Sequence, residues 1–178
     1  MIDFGLVDAV DAEAIGPPGE RTFRIVARSA GRHARLWIEK EQLAALGRGL
    51  SQLLAERSTQ RGEPETELPP FGEQPETPDV ELQVARLGID FIAEQEHLVM
   101  LADDHEAIEG GESPRFRMEL ARSQVLAAIR RIREVISAGR PRCPLCGHPL
   151  ETSGAEHFCP RTNGHSDELT LPGKNETG

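Results

Sequence analysis

The cysteines and nearby histidines of the C-terminal region are the residues best suited to chemistry. Thiolate sulfur and imidazole nitrogen are the ligands of tetrahedral structural zinc, and a Cys-x2-Cys turn places two sulfurs on one tight loop. The candidate ligands are Cys143, Cys146, His157, Cys159 and His165. The number of cysteines is odd, and a bridge between Cys143 and Cys146 would be strained, so a disulfide is the weaker interpretation. We therefore predict a zinc site.

Two histidines compete for the fourth position in this site. His157 lies two residues before Cys159, so both side chains would point to one side of an extended strand. His165 would instead close a second knuckle through the turn that precedes it. Either choice completes a closed set of four protein ligands, which predicts structural and not catalytic zinc. A redox-active Cys-x2-Cys pair is the alternative.

The composition indicates a soluble protein with an aliphatic core. Of the 178 residues, 38% are hydrophobic and only 4% aromatic, so packing depends on Leu, Ile, Val and Ala. The net charge of -10 opposes broad electrostatic binding to nucleic acid or to anionic membranes. No long apolar run is present, and zinc thiolates need reduced cysteines. We expect a cytoplasmic location, no membrane association and a protein partner.

An internal repeat organises the main domain. Residues 34–45 align without a gap on residues 116–127. The matched pairs are Arg35 with Arg117, Lys40 with Arg122, Gln42 with Gln124, and Ala45 with Ala127. Each copy begins with alternating apolar residues, typical of a half-buried strand, and continues with the three-to-four-residue spacing of an amphipathic helix. Chance similarity between short apolar segments is the alternative.

The repeat predicts the secondary structure and the fold class. Helices are expected from about Glu39 to Arg57 and from about Ala121 to Ala138, with a hairpin turn at residues 29–32. Further strands are predicted at Asp3 to Val10, Thr22 to Arg28, Val80 to Arg86, Ile89 to Ala93 and His97 to Ala102. The predicted fold is α+β, with two related antiparallel-strand-then-helix repeats packed as one domain and a small C-terminal zinc ribbon.

The domain boundaries follow from the composition along the chain. The duplicated domain is expected to span residues 1–139, the zinc-binding tail 140–172 and a disordered end 173–178. Within the first domain, residues 58–79 alternate prolines with glutamates and are predicted to form an acidic linker or loop. A second acidic segment, residues 103–112, lacks the spacing of a calcium loop and is predicted to be a solvated loop.

A group of arginines lies close to the single tryptophan on two predicted strands. The possible binding face consists of Arg24, Arg28, Arg32, Arg35 and Trp37. Proteins that bind single-stranded nucleic acid combine basic residues with aromatic side chains on which bases stack. Alternation along a strand places some of these arginines on different faces, and the net charge opposes binding. Nucleic-acid binding is therefore an alternative function.

The chain resembles an uncharacterised actinobacterial family of proteins that contain a domain of unknown function. The resemblance rests on residues 3–5, residues 37–40, the Cys-Pro-x-Cys of residues 143–146 and the Asn-Gly pair of residues 163–164. Tails of this family are similar to Cys-Pro-x-Cys, His-x-Cys, then Asn-Gly before an aromatic residue. His165 stands where the aromatic is expected, so the resemblance favours His157 as the zinc ligand. It implies no activity.

Three classes of function are compatible with the sequence. The first is a non-catalytic binding or adaptor protein with a structural zinc tail, because a small ribbon needs the metal to fold. The second is the single-stranded nucleic-acid-binding protein described above. The third is an enzyme whose site is not visible in the sequence, since neither a phosphate-binding glycine-rich loop nor a nucleophile elbow is present. The binding protein is the preferred prediction.

Overall fold

The computed structural model describes residues 1–17, 20–57, 71–138 and Cys146. The chain divides into two compact units, Met1–Ser137 and Ala138–Gly178. The first unit is a mixed α+β fold with two four-stranded sheets and three helices in its described part. The predicted zinc tail belongs to the second unit and, except for Cys146, lies outside the described residues. None of the described helices is long and apolar enough to cross a membrane.

The first half of the fold contains four strands and a long helix. These are β1 (Ile2–Leu6), β2 (Ala9–Ile15), β3 (Thr22–Ser29), β4 (Arg32–Ile38) and α1 (Lys40–Arg57). Ala30 and Gly31 join β3 to β4 with positive φ values of 49° and 79°, as a two-residue hairpin turn requires. The predicted turn and the predicted first helix are therefore confirmed.

The second half repeats this order and adds a short helix. Its elements are β5 (Val80–Gln83), β6 (Arg86–Ile92), β7 (His97–Asp103), α2 (His105–Gly110), β8 (Phe116–Leu120) and α3 (Arg122–Ser137). The prediction of a plain loop at residues 103–112 was wrong, because α2 forms there. The Asp104 carboxylate accepts from the Ala107 N–H at 2.8 Å, and Gly111 ends the helix with a φ of 70°.

Each sheet combines three antiparallel strands with one parallel edge strand. The first sheet has the order β2-β3-β4-β5 and the second the order β6-β7-β8-β1. β5 runs parallel to β4, and β1 runs parallel to β8. The first strand of each half therefore lies in the sheet of the other half. We call β1 and β5 the exchanged strands; the predicted antiparallel plan did not include these parallel pairs.

The prediction of one strand from Asp3 to Val10 was wrong for the same reason. The Val7 N–H donates to the Glu119 carbonyl of the second sheet at 3.0 Å, whereas the Asp8 N–H donates to the Arg28 carbonyl of the first sheet at 2.8 Å. The chain thus crosses between the sheets at residues 7–8. Apolar alternation continues through the crossing, so the pattern alone does not reveal it.

One core joins both sheets and both long helices. It contains Phe23, Ile25 and Leu36 from the first sheet together with Met100 and Met118 from the second, all buried. α1 and α3 pack against each other; Gly47 allows this close approach, because an added Cβ would lie 3.0 Å from Ile132 Cγ2. α3 also packs on β2, and α1 packs on β6.

Candidate functional site

The predicted zinc ligands cannot be placed by the described structure. Cys143, His157, Cys159 and His165 lie outside the described residues, and Cys146 is half-buried. Among the residues that the structure does describe, none form a group of three or more potential metal ligands. The zinc site therefore stays a prediction.

The predicted arginine face is assembled only in part. Arg24 and Arg28 on β3 share the outer face of the first sheet with Arg35 and Trp37 on β4, since their neighbours in sequence enter the core. Arg32 does not join them. Its guanidinium lies 4.4 Å from the centre of the Phe4 ring and donates to the Asp3 carbonyl.

Two arginines on this face, Arg24 and Arg35, form ion pairs with neighbouring glutamates. Arg24 forms an ion pair with Glu13 at 2.7 Å and lies 5.3 Å from the centre of the Trp37 ring. Arg35 pairs with Glu81 at 3.2 Å, and the Trp37 indole donates to the same carboxylate at 2.8 Å. The Trp37 and Arg35 donors lower the pKa of Glu81.

The end of the acidic segment lies on the same face. Phe71 is buried beside Val26, and the Arg28 guanidinium lies 5.9 Å from the centre of its ring and donates to its carbonyl at 3.2 Å. Arg35 donates to the Pro75 carbonyl at 3.1 Å. Guanidinium groups that are engaged in this way offer few donors to a phosphate backbone, so the arrangement does not favour nucleic-acid binding.

A chain of charged side chains occupies the outer face of the second sheet. Arg117 contacts Asp3 at 3.1 Å and Glu119 at 2.6 Å, while Nδ1 of His97 lies 3.2 Å from Oε2 of Glu119. Hydrogen bonds from Arg117 and His97 lower the pKa of Glu119, and the Gly5 N–H and Arg117 lower that of Asp3. The sequence did not reveal this group, because its members come from three different strands.

This charged chain does not form a recognisable catalytic site. The His97 and Glu119 side chains are about one-fifth exposed, and they lie on a sheet face. A His–Glu pair acts as a base only when a reacting group lies within hydrogen-bond reach. Within the described residues, the side chains of this charged chain bond to one another and to the Gly5 N–H, and no hydroxyl or thiol nucleophile is among these contacts.

An open cleft of about 370 Å³ lies between α1 and β6. Gln42, Ala45 and Leu46 of α1 form one wall, and residues 85–89 form the other. Successive side chains of a strand point to opposite faces, so five consecutive residues line one cleft only along the backbone edge of the strand. The cleft therefore exposes the edge of β6.

β6 is a long and regular edge strand of the second sheet. β1 has a bulge between Asp3 and Leu6, and β5 is only four residues long. β6 pairs with β7 in an unbroken register over its seven residues. Bulges, short length and covering groups are the usual ways in which an edge strand avoids pairing with another chain. β6 lacks the first two of these.

Beside the first sheet, an ion pair joins α3 to β2. Asp11 of β2 accepts from Arg131 of α3 at 3.1 Å. Burial raises the pKa of Asp11, and the Arg131 charge opposes this shift. The ion pair joins the edge strand of the first sheet to the helix that packs on it.

Where α1 packs on β6, glycine occupies both positions equivalent to this ion pair, and one of them, Gly88, lines the cleft. Gly49 lies seven residues after Gln42, just as Arg131 lies seven residues after Gln124, so these two positions are equivalent. The strand registers likewise make Gly88 equivalent to Asp11. An added Cβ on Gly49 would lie 2.9 Å from Ile89 Cδ1, so the glycine allows close packing there. The sequence alignment of residues 34–45 with 116–127 did not reach these positions, and the equivalence of Asp11 with Gly88 follows only from the strand registers.

Fold and site together define a mixed α+β protein with two linked four-stranded sheets and a cleft beside the edge strand β6 in its described part. The chain belongs to the family described as Protein of unknown function (DUF3090), whose model matches residues 2–159. Membership of a family of unknown function, expected from the resemblance, is confirmed. No curated protein and no solved structure matches the chain.

Proposed function

We propose that this protein is a non-catalytic protein-interaction module that binds an extended segment of a partner protein. The segment adds to the second sheet as a new strand along β6, in the cleft between β6 and α1. The observation that carries the proposal is the open backbone edge of β6 along this cleft. Strand addition supplies affinity through main-chain hydrogen bonds and selectivity through alternate side chains.

The comparison of the two halves supports this function. We propose that the halves are diverged copies of one strand-and-helix unit, as the sequence repeat predicts. At the edge strand β2, the ion pair between Asp11 and Arg131 joins the strand to α3. At the edge strand β6, glycines occupy the equivalent positions, so no such ion pair joins β6 to α1. Gly49 also permits close packing against Ile89, so the absence of the ion pair is the part of this difference that bears on access to the edge.

The walls of the cleft indicate the chemistry of the bound segment. Ala45 and Leu46 face it from α1, and Leu87 and Ile89 face it from β6, so the inward side chains of the segment should be apolar. Asp90 and Glu94 are exposed on β6 and in the turn beyond it. Together with the net charge of -10, these carboxylates favour a partner with basic residues.

A peptide selection followed by one helix substitution tests the proposal. Peptides selected from a random library on the whole protein should bind the Ala45→Arg variant more than about tenfold more weakly, because the new side chain fills the cleft. Ala55→Arg makes the same change at an exposed position outside the cleft lining on α1 and should leave affinity unchanged. Binding should also protect the amide hydrogens of β6 from exchange.

Two results would contradict the proposal. Peptides that bind wild type and Ala45→Arg equally would place their site elsewhere. A wild-type dimer that becomes a monomer with Ala45→Arg would show that a second copy occupies the cleft.

We also propose that the tail holds one structural zinc ion through Cys143, Cys146, Cys159 and a histidine. The family match includes His157 and ends before His165, which supports His157 as the fourth ligand. Elemental analysis of protein purified without added metal should find one zinc per chain, and Cys143→Ser and His157→Ala should each remove it. Zinc that is retained in His157→Ala and lost in His165→Ala would reverse the assignment.

A further inference from the structure

A row of outer-face residues crosses the second sheet at the centre of β6. Gly88 of β6 pairs with Leu101 of β7, and Leu101 pairs with Arg117 of β8. A Cβ on Gly88 would lie 3.6 Å from Leu101 Cβ, so the Leu101 side chain stands directly beside the glycine. A strand added to β6 would extend this row by one residue, which lies opposite Gly88.

The missing side chain at Gly88 leaves room for a large one on the added strand. An aromatic ring opposite Gly88 would lie across the glycine backbone and contact Leu101, which is half-buried. Aromatic side chains stabilise strands in this way, both by covering a glycine and by contacting an aliphatic residue across the sheet. A small side chain at this position would leave the glycine backbone and Leu101 exposed.

The neighbouring row on the same face ends in a carboxylate. Asp90 lies two residues after Gly88, pairs with Val99 and is exposed. Its Oδ1 accepts from the Phe91 N–H at 2.7 Å, and within the described part of the chain it forms no ion pair. A residue opposite Asp90 on an added strand would therefore meet an uncompensated negative charge next to an apolar neighbour.

These two rows define the partner more closely than the proposed function does. Resting on that function, we propose that the bound segment carries an aromatic residue opposite Gly88 and a basic residue, two positions away, opposite Asp90. The two side chains point to the same face of the segment because they are separated by one residue. The direction of the added strand decides which of them comes first.

Synthetic peptides test both positions. The probes are fluorescein-labelled peptides with the sequence Thr-Val-Phe-Val-Lys-Val-Thr and its reverse, which cover both strand directions. Changing Phe to Ala, or Lys to Glu, should weaken binding of the preferred peptide by about two- to fivefold, the range that a cross-strand pair supplies. Gly88→Thr in the protein should remove the preference for Phe, since it places a side chain in the same space.

A charge reversal separates direct contact from general electrostatics. Asp90→Lys should reverse the preference, so that the Glu peptide binds more tightly than the Lys peptide. Glu94→Lys makes the same charge change at an exposed position beyond the end of β6 and should leave the preference as in wild type. Equal effects of the two variants would overturn the proposal.

The remaining outcomes distinguish this proposal from the function on which it rests. If library-selected peptides depend on Ala45 but neither probe binds, or the probes show no preference for Phe and Lys, this inference is wrong and the proposed function stands. If neither the library nor the probes yield a peptide that depends on Ala45, both are wrong.

Discussion

Gln42 and Gln124 perform the same task at the start of the two long helices. Each side-chain oxygen accepts from a backbone N–H three residues earlier, at Glu39 and at Ala121. The Gln42 amide donates to the Ala85 carbonyl at 3.1 Å. The Gln124 amide donates at 2.7 Å to the carbonyl of a buried valine just after β1. Each glutamine thus joins a helix to the end of an exchanged strand.

Gln124→Ala should lower the free energy of unfolding by about 2 to 3 kcal/mol, because it leaves the buried Val7 carbonyl and the half-buried Ala121 N–H without these partners. Gln42→Ala should cost about 1 kcal/mol, since Gln42 is only half-buried and water replaces part of the loss. Urea denaturation of both variants gives the two values. Equal small losses would show that neither bond matters to stability.

The sequence predicted the match between these glutamines but not their function. Gln124 and its acceptor Val7 are 117 residues apart. Local spacing contains no information about a contact over such a separation. The same limit explains why the Asp3–Arg117–Glu119–His97 chain was missed, since its members meet only after three strands have paired.

The long helices show how well hydrophobic periodicity predicts the bounds of single elements. Their predicted bounds agree with α1 (Lys40–Arg57) and α3 (Arg122–Ser137) to within one residue. Apolar spacing and Gly139 contained enough information to set these limits. β2 was missed beyond Val10, because its small alanines and two carboxylates give a weak strand pattern. It is held in place by β3 and α3 instead.

The packing of α1 against α3 gives a prediction at the same scale. Gly47→Leu should lower the free energy of unfolding by about 1 to 3 kcal/mol, because the new side chain overlaps the buried Ile132. Ala55→Leu, at an exposed position of the same helix, should change it by less than about 0.5 kcal/mol. Thermal denaturation measures both. A neutral Gly47→Leu variant would mean that the two helices separate easily.

At the scale of the whole molecule, the exchanged strands and the common core join the two sheets into one unit. Trp37 is the only tryptophan and lies on the first sheet, so its fluorescence reports on that sheet alone. Met118 lies in the second sheet, fully buried. A two-state transition would make both sheets unfold together.

Met118→Ala should therefore lower the free energy of unfolding by about 2 to 5 kcal/mol, and tryptophan fluorescence and circular dichroism should report the same shifted midpoint. The substitution creates a cavity in the second sheet, but the loss of stability should also be detected by Trp37 in the first sheet. A fluorescence midpoint that stays at the wild-type value while the circular dichroism midpoint falls would show that the sheets unfold separately.

The parallel pairing of β1 with β8 also fixes an order of events during protein synthesis. Ile2 pairs with Phe116, so β1 leaves the ribosome long before its partner strand exists. The pairing of β3 with β4 joins residues close in sequence, so this hairpin can form early. Until β8 emerges, β1 has no strand to pair with, so a nascent chain stalled before Phe116 should aggregate more readily than a chain that includes β8.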